Sequence, residues 1–430
     1  MRIQGLAVGA GALAAALVSA PLTSVGAAAQ DQAPQVFRSA ANLVEVDVMV
    51  HDSEGRFVAG LTAEDFEVYE DGQPQEVQQF YLVAHEGGSV RAVNPVPIER
   101  LDVSDARNRR LFVFLFDERH LSNESLLRIK TGVERFINAQ FRPGDYGGIF
   151  TAGSMYHGRI TSDKIDLLAG LDSVTPAFET RDKLLMELRD FPVIPGEHDA
   201  LRIDYGDQRL LDSLAESACE NDAATCASIG GFDQVEFQLE QKARRYIRQA
   251  RVATANTLEQ LRFVAARLGS IPGRKTVIFL SDGFFVEEDR GAVQTIAAIA
   301  ARSGATFYSV YGRGTSIVGG HPTPDALTPQ PGLLSTFDSI DDGPEILTGS
   351  TGGFVVRNAN DISRAIGLVA RDTSTYYVLG YQPTNATMDG KLRKIEVRAN
   401  GDGMKVRSRR GYVASPLPPM RNTGRGGGGR

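Results

Sequence analysis

Tryptophan is absent from this 430-residue chain, cysteine occurs twice and histidine six times. Without tryptophan, the strongest aromatic platform for a sugar or a quaternary amine is missing. Two cysteines supply neither a cysteine-ligated zinc site nor a disulfide framework. The histidines stand at 51, 85, 120, 157, 198 and 321, and no two take the H-x-x-x-H spacing of a helical zinc site. A basic excess is missing too, since 53 acidic and 46 basic residues give a formal charge of −7. Neutralising a phosphate backbone needs a clustered basic surface, so no nucleic-acid partner is expected. Beyond the first thirty residues, no stretch approaches the ~18 apolar residues of a membrane span. No G-x-S-x-G elbow marks a serine hydrolase, and FTAGSMYHG and LTGSTGG do not match one. The glycine-rich GRGTSIVGG lacks the lysine of a phosphate-binding loop. His120 and His157 follow strands, but a single strand-end histidine is more often a surface residue than a base. The expectation is a protein that is not an enzyme.

The composition that remains, 42% apolar and 23% charged, is that of a globular protein long enough for two or three domains. Its start reads differently. Arg2 supplies an early positive charge, an apolar run extends from Leu6 to Ala20, and Ala27-Ala28-Ala29 offers a signal-peptidase site. Residues 1–29 therefore read as a cleaved signal, because the run is short and rich in alanine and glycine. The protein is expected to be secreted or periplasmic, with no transmembrane span in the mature chain. Cys219 and Cys226 then meet an oxidising compartment. They flank a short polar stretch with no basic or histidine neighbour to activate a thiol, so a disulfide staple on an exposed loop is expected.

From Leu43 to Val83 the pattern is β: LVEVDVMV alternates with period two, and FEVYEDGQPQEVQQFYLV reads as a hairpin around Asp71-Gly72. After a linker, the character changes. RLFVFLFD is a continuous apolar run ending in Asp117, the mark of a strand buried on both faces. A helix follows, with Ser122 as its N-cap and Ser125 in the first turn. GRKTVIFLSDGFF is a second such strand, ending in Asp282. Between these strands lie further strand–helix units, a polar insertion at 175–232 with no clear period and some helix in it, and a long amphipathic stretch read as one helix or two. Its arginine-rich face reads as solvated. The stretch from Gly312 to Pro344 reads as a loop. Alternating strands and helices predict an α/β fold with a doubly wound, mostly parallel sheet, at 109–372. STYYVLGYQP, KLRKIEVRAN and GMKVRSRRGYV are β-type, so 36–100 and 373–414 are expected to build one flanking β-sandwich from both ends of the chain. Residues 415–430 form a Pro/Gly/Arg tail of disordered type.

Two acids at strand ends point to the carboxyl edge of the sheet, where α/β folds bind ligands. RLFVFLFDERHLS, TVIFLSDGFF and TGGFVVRNANDISRAIGLVARDT together resemble a von Willebrand factor type A domain. More narrowly, VHDSEGRFVAGLTAEDFEVYEDGQPQEV before that domain, with YYVLGYQP and RRGYV after it, is similar to the exported bacterial VWFA-related group over Val36 to Val413. The resemblance implies a protein–protein interaction or adhesion module, with a protein partner in the periplasm, at the envelope or outside the cell. It also implies a divalent cation, Mg2+ or Ca2+, held by an Asp-x-Ser-x-Ser turn, a loop threonine and a later aspartate. Asp117 and Asp282 match the two aspartates, but the serine positions are Arg119 and Leu121. Leucine offers no ligand and arginine carries a fixed charge. The site is thus degenerate, no cofactor is expected, and the Arg119 guanidinium is expected to neutralise the carboxylates in the cation's place. Ser122, Thr151 and Thr180 are the hydroxyls that could complete a distorted site. The expected interaction edge is Glu118, Arg119, His120, Ser122 and Thr151. The alternatives are an envelope assembly protein acting through its sandwich, and a hydrolase.

Overall fold

The computed structural model describes residues 43–86, 89–92, 109–151, 154–176, 181–284, 286, 289–313, 338–357, 359–401 and 403–414. Residues 1–29, expected to be a signal, and 415–430, expected to be a tail, lie outside the described residues, as does most of the stretch from Gly312 to Pro344.

The chain opens with strands β1 (Val44–His51), β2 (Phe66–Glu70), β3 (Gln73–Gln75), β4 (Val77–Glu86) and β5 (Ser89–Ala92). Asp71 and Gly72 both take positive φ between β2 and β3, as the tight two-residue hairpin requires. Then come β6 (Leu111–Phe116), α1 (Asn123–Gln140), β7 (Tyr146–Thr151), β8 (Ser154–Met155) and α2 (Lys164–Asp172). A helical run follows: α3 (Arg181–Arg189), α4 (Glu197–Asp204), α5 (Gln208–Asn221), α6 (Ala223–Ile229) and α7 (Phe232–Leu268). The α/β alternation resumes with β9 (Lys275–Ser281), α8 (Arg290–Arg302), β10 (Ala305–Tyr311), α9 (Asp338–Thr351), β11 (Val355–Val356) and α10 (Ile362–Asp372). The chain returns to β structure in β12 (Thr375–Tyr381), β13 (Leu392–Ala399), β14 (Lys405–Ser408) and β15 (Gly411–Val413).

The central sheet has the order β11-β10-β9-β6-β7-β8, parallel throughout except for β8. Every residue of β6 and β9 is buried, which explains their continuous apolar sequence. Phe112, Phe114 and Phe116 point to a core shared with α1, α2 and α10, while Val113 and Leu115 meet α7, α8 and α9 on the other face. Helices therefore cover both faces. Gly132 lets α1 approach α10 closely, since a Cβ there would lie 2.4 Å from Ile362 Cβ.

Two antiparallel sheets, ordered β14-β1-β12-β4-β5 and β15-β13-β2-β3, draw strands from both ends of the chain. Val46, Val48, Tyr377 and Leu379 of the first pack with Phe66, Val68, Ile395 and Val397 of the second. The fold is thus α/β with a mixed central sheet and a face-to-face pair of antiparallel sheets.

Three sequence expectations are extended or corrected. The polar insertion, expected to hold some helix, is helical over most of its described residues, and its core extends into the first half of α7, through Val235, Leu239, Tyr246 and Ile247. Its aperiodic look reflects several short helices in succession, each too brief to show a repeat. Cys219 and Cys226 are bonded to each other, but they join α5 to α6 rather than stapling a loop, and Cys226 is buried in that core. The third is α9, which begins at Asp338, inside the stretch read as loop, and carries Pro344 within it. The long amphipathic stretch is one helix of 37 residues.

Candidate functional site

The strand order reverses between β6 and β9: the chain moves outward through β7 and β8, returns, and moves outward the other way through β10 and β11. Ligands of open α/β sheets bind at such a reversal, beyond the carboxyl ends of the strands. Asp117 leaves β6 and Asp282 leaves β9 at this point, and the Asp117 amide donates to the Leu280 carbonyl at 2.9 Å. Both acids are 1% exposed. An ionised carboxylate so deeply buried needs donors, and each has them.

Asp117 is held by side chains. His120 Nδ1 lies 3.0 Å from both carboxylate oxygens, Thr257 Oγ1 donates to Oδ1 at 2.8 Å, and Ser281 Oγ donates to Oδ2 at 2.7 Å. A carboxylate only accepts, so the Nδ1 proton belongs to the histidine. Burial pushes the Asp117 carboxyl up, but the charge of His120 and these three hydrogen bonds outweigh it and hold the group below its ordinary range. The Ser281 oxygen also accepts from the Gly283 amide at 3.1 Å, which fixes the turn after β9.

Asp282 is held by backbone. The Ser122 amide donates to Oδ2 at 3.2 Å and the Arg313 amide to Oδ1 at 2.9 Å. The carboxylate thereby ties the start of α1 to the end of β10. Ser122 caps α1 as expected, its side chain accepting from the Ser125 amide at 3.0 Å.

The remaining expected site residues are dispersed. Arg119 is exposed on the turn, so the expected neutralisation of the carboxylates by its guanidinium is corrected: His120, one residue on, turns inward and takes that place. Leu121 is buried in the core with Phe116 and Leu126. Glu118 is half-buried. Thr151 contributes its carbonyl, which accepts from Gln260 Nε2 at 2.7 Å. Thr180 lies outside the described residues. Among the described residues, no three of His, Cys, Asp and Glu come together as a metal ion would require. A hard cation needs several free oxygens on one side. Asp117 presents its oxygens to a ring nitrogen and two hydroxyls instead, so this donor set does not fit the cation implied by the type A resemblance.

Sequence reasoning missed Thr257, Gln260 and Ser281. Thr257 and Thr254 are buried on the apolar face of α7, and threonines on such a face were the available signal. Ser281 follows the period-two alternation of β9, placing its side chain on the α7 side beside Val277 and Phe279.

The two hydroxyls that bond Asp117, those of Thr257 and Ser281, are turned to its carboxylate. The constellation is arranged to satisfy Asp117.

No family model matches this chain, and no curated protein matches it. Among solved structures, the conserved hypothetical protein BatB from Bacteroides thetaiotaomicron aligns over 62% of this chain and 98% of its own, at 16% identity and a TM-score of 0.29. The human COPII-coat protein Sec24c aligns over 71% of this chain and 43% of its own, at 10% identity and a TM-score of 0.24. At such scores neither likeness carries an argument.

Proposed function

We propose that this chain is an exported, non-enzymatic protein-interaction module of the von Willebrand factor A type, whose cation site is degenerate and works without a metal. One observation carries the reading: the two acids at the sheet reversal are satisfied by the protein's own donors, Asp117 by His120, Thr257 and Ser281, and Asp282 by two backbone amides. The turn that leaves β6 exposes Arg119 beside them, and this rim is the surface proposed to meet a partner. Loops on a rigid sheet are where recognition usually sits. Among the described residues, no helix is long and apolar enough to cross a membrane.

Calorimetric titration with magnesium, calcium and manganese tests the metal half of this reading, and no heat of binding is expected. Micromolar binding that disappears in Asp117→Ala overturns it. Affinity capture from an envelope fraction, with and without chelator, tests the interaction half. A retained partner that chelator does not release, and that is lost on Arg119→Ala, is the expected result. Turnover in a hydrolase screen that is abolished by His120→Ala would replace the reading with an enzymatic one.

A further inference from the structure

The helical insertion segregates charge in a way that neither its core nor the sheet edge requires. On α7, Arg244, Arg245, Arg248 and Arg251 are all exposed and recur at helical spacing along one side. Arg244 pairs with Glu240 at 2.6 Å and Arg251 with Asp204 at 3.6 Å. Arg245 and Arg248 have no ion-pair partner among the described residues. On α5 the sign is reversed beyond the first turn, which carries Arg209. Asp212, Glu216 and Glu220 are exposed at steps of four residues, opposite the buried Leu211 and Ala215. Asp212 accepts from Gln208 Nε2 at 2.8 Å, while Glu216 and Glu220 have no ion-pair partner among the described residues.

The two stripes match in length as well as sign. The eight steps from Asp212 to Glu220 rise about 12 Å, and the seven from Arg244 to Arg251 rise about 10 Å. Among the described residues, Arg245 and Arg248 do not pair with Glu216 or Glu220 within one copy, although α5 and α7 share a core through Leu211, Ala215, Val235 and Leu239. A lone basic stripe would suit many polyanions. A basic stripe with a length-matched acidic stripe on the same small helical cluster is complementary to one specific object, another such cluster.

We propose that the insertion is a self-association surface, in which the arginine stripe of α7 docks on the acidic stripe of α5 in a second copy of this chain. Pairing of exposed charges makes the association reversible and strongly dependent on salt.

The test uses the full chain in sedimentation velocity across a concentration series. At low salt the wild-type chain is expected to associate, and in ~1 M salt, where screening acts within ~3 Å, to become monomeric. Arg245→Glu/Arg248→Glu and Glu216→Arg/Glu220→Arg are each expected to weaken self-association by about tenfold or more, since like charges then face each other. Mixing the two variants should restore association, because each reversed stripe again meets its opposite. Unchanged far-UV circular dichroism and melting temperature establish that these surface variants fold. A wild-type chain that stays monomeric at low salt overturns the proposal, as does a mixture that fails to associate. Binding of the wild-type monomer to anionic phospholipid vesicles, lost in Arg245→Glu/Arg248→Glu, would reassign the stripe to a bilayer surface.

Discussion

At the carboxyl end of the parallel sheet, Asp117 is held by a histidine and two hydroxyls, and Asp282 by backbone amides. At the amino end, carboxylates meet arginines. Arg110, just before β6, makes a two-pronged pair with Asp145, at 2.8 and 2.6 Å. Arg274, just before β9, reaches Asp47 on β1 at 2.5 Å and lies over the Tyr376 ring. Arg407 on β14 pairs with Asp372 at the end of α10, which also accepts from the Tyr308 hydroxyl at 2.7 Å. The Arg274 and Arg407 pairs cross from the α/β layers to the antiparallel sheets, around a cavity of about 50 Å3. Both ends bury charge, but with different consequences. The Arg110–Asp145 fork fixes the starts of β6 and β7 in one geometry, and the Arg274 and Arg407 contacts hold the antiparallel sheets to the α/β layers. At the carboxyl end, ring, hydroxyl and amide donors from the start of α1, from α7, from β9 and from the end of β10 converge on the two carboxylates.

The largest expected effect lies at the amino end of the central sheet. Arg110 and Asp145 are both buried, so Arg110→Ala strands a carboxylate away from water and should cost about 3–5 kcal/mol. Denaturant unfolding reads this directly. A loss under 1 kcal/mol would mean that water reaches Asp145, and the contrast between the two ends would weaken.

Next comes the edge. Asp117→Asn keeps the shape but turns an amide NH2 toward one of the two donating hydroxyls and removes the negative charge that faces His120. A loss of about 2–3 kcal/mol is expected, unchanged by chelator. If chelator destabilises the wild-type chain to the same extent as the substitution, a cation rather than His120 holds the site.

Lys275 sharpens the contrast through pH. It begins β9 at the amino end, is buried, and donates to the Ser303 carbonyl at 2.5 Å. Burial pulls its ammonium down to about 8. In the unfolded chain the group keeps its ordinary, higher value. Between these two values the unfolded state holds a proton that the folded state has released, so stability rises with pH. From pH 7 to 9.5 the gain should be about 1–2 kcal/mol, and Lys275→Met should flatten it. A wild-type profile that is level or falling over this range would show that Lys275 keeps its charge when folded.

Most of the fold was legible in the sequence because its strands carry local signals. The all-apolar β6 and β9 could only be buried on two faces, and Asp71-Gly72 could only be a tight turn. The acids at the reversal were legible for the same reason, each ending such a run. Their partners were not. Thr257 meets Asp117 from 140 positions away, and nothing local to α7 distinguishes a threonine that donates to a carboxylate from one that fills a core. His120 was visible only as a lone histidine. Arg119 carried the stronger charge and attracted the role of neutraliser, but charge in a sequence does not reveal which way a turn points.

The smallest expected effect decides between those two residues. Were Arg119 the group that neutralises Asp117 or Asp282, its removal would leave a buried carboxylate short of a partner, at a cost comparable with that at Arg110. The structure places its side chain in solvent, while His120 makes two 3.0 Å contacts with Asp117. Arg119→Ala should therefore change stability by less than about 0.5 kcal/mol, as exposed positions ordinarily do, whereas His120→Ala should cost at least about 1 kcal/mol. Paired unfolding curves measure both. A reversed order would move the neutralising charge back to the arginine and place the edge under the same rule as the amino end. The expected order leaves Arg119 free of structural duty, so any partner contact it makes can be tested by Arg119→Ala without disturbing the fold.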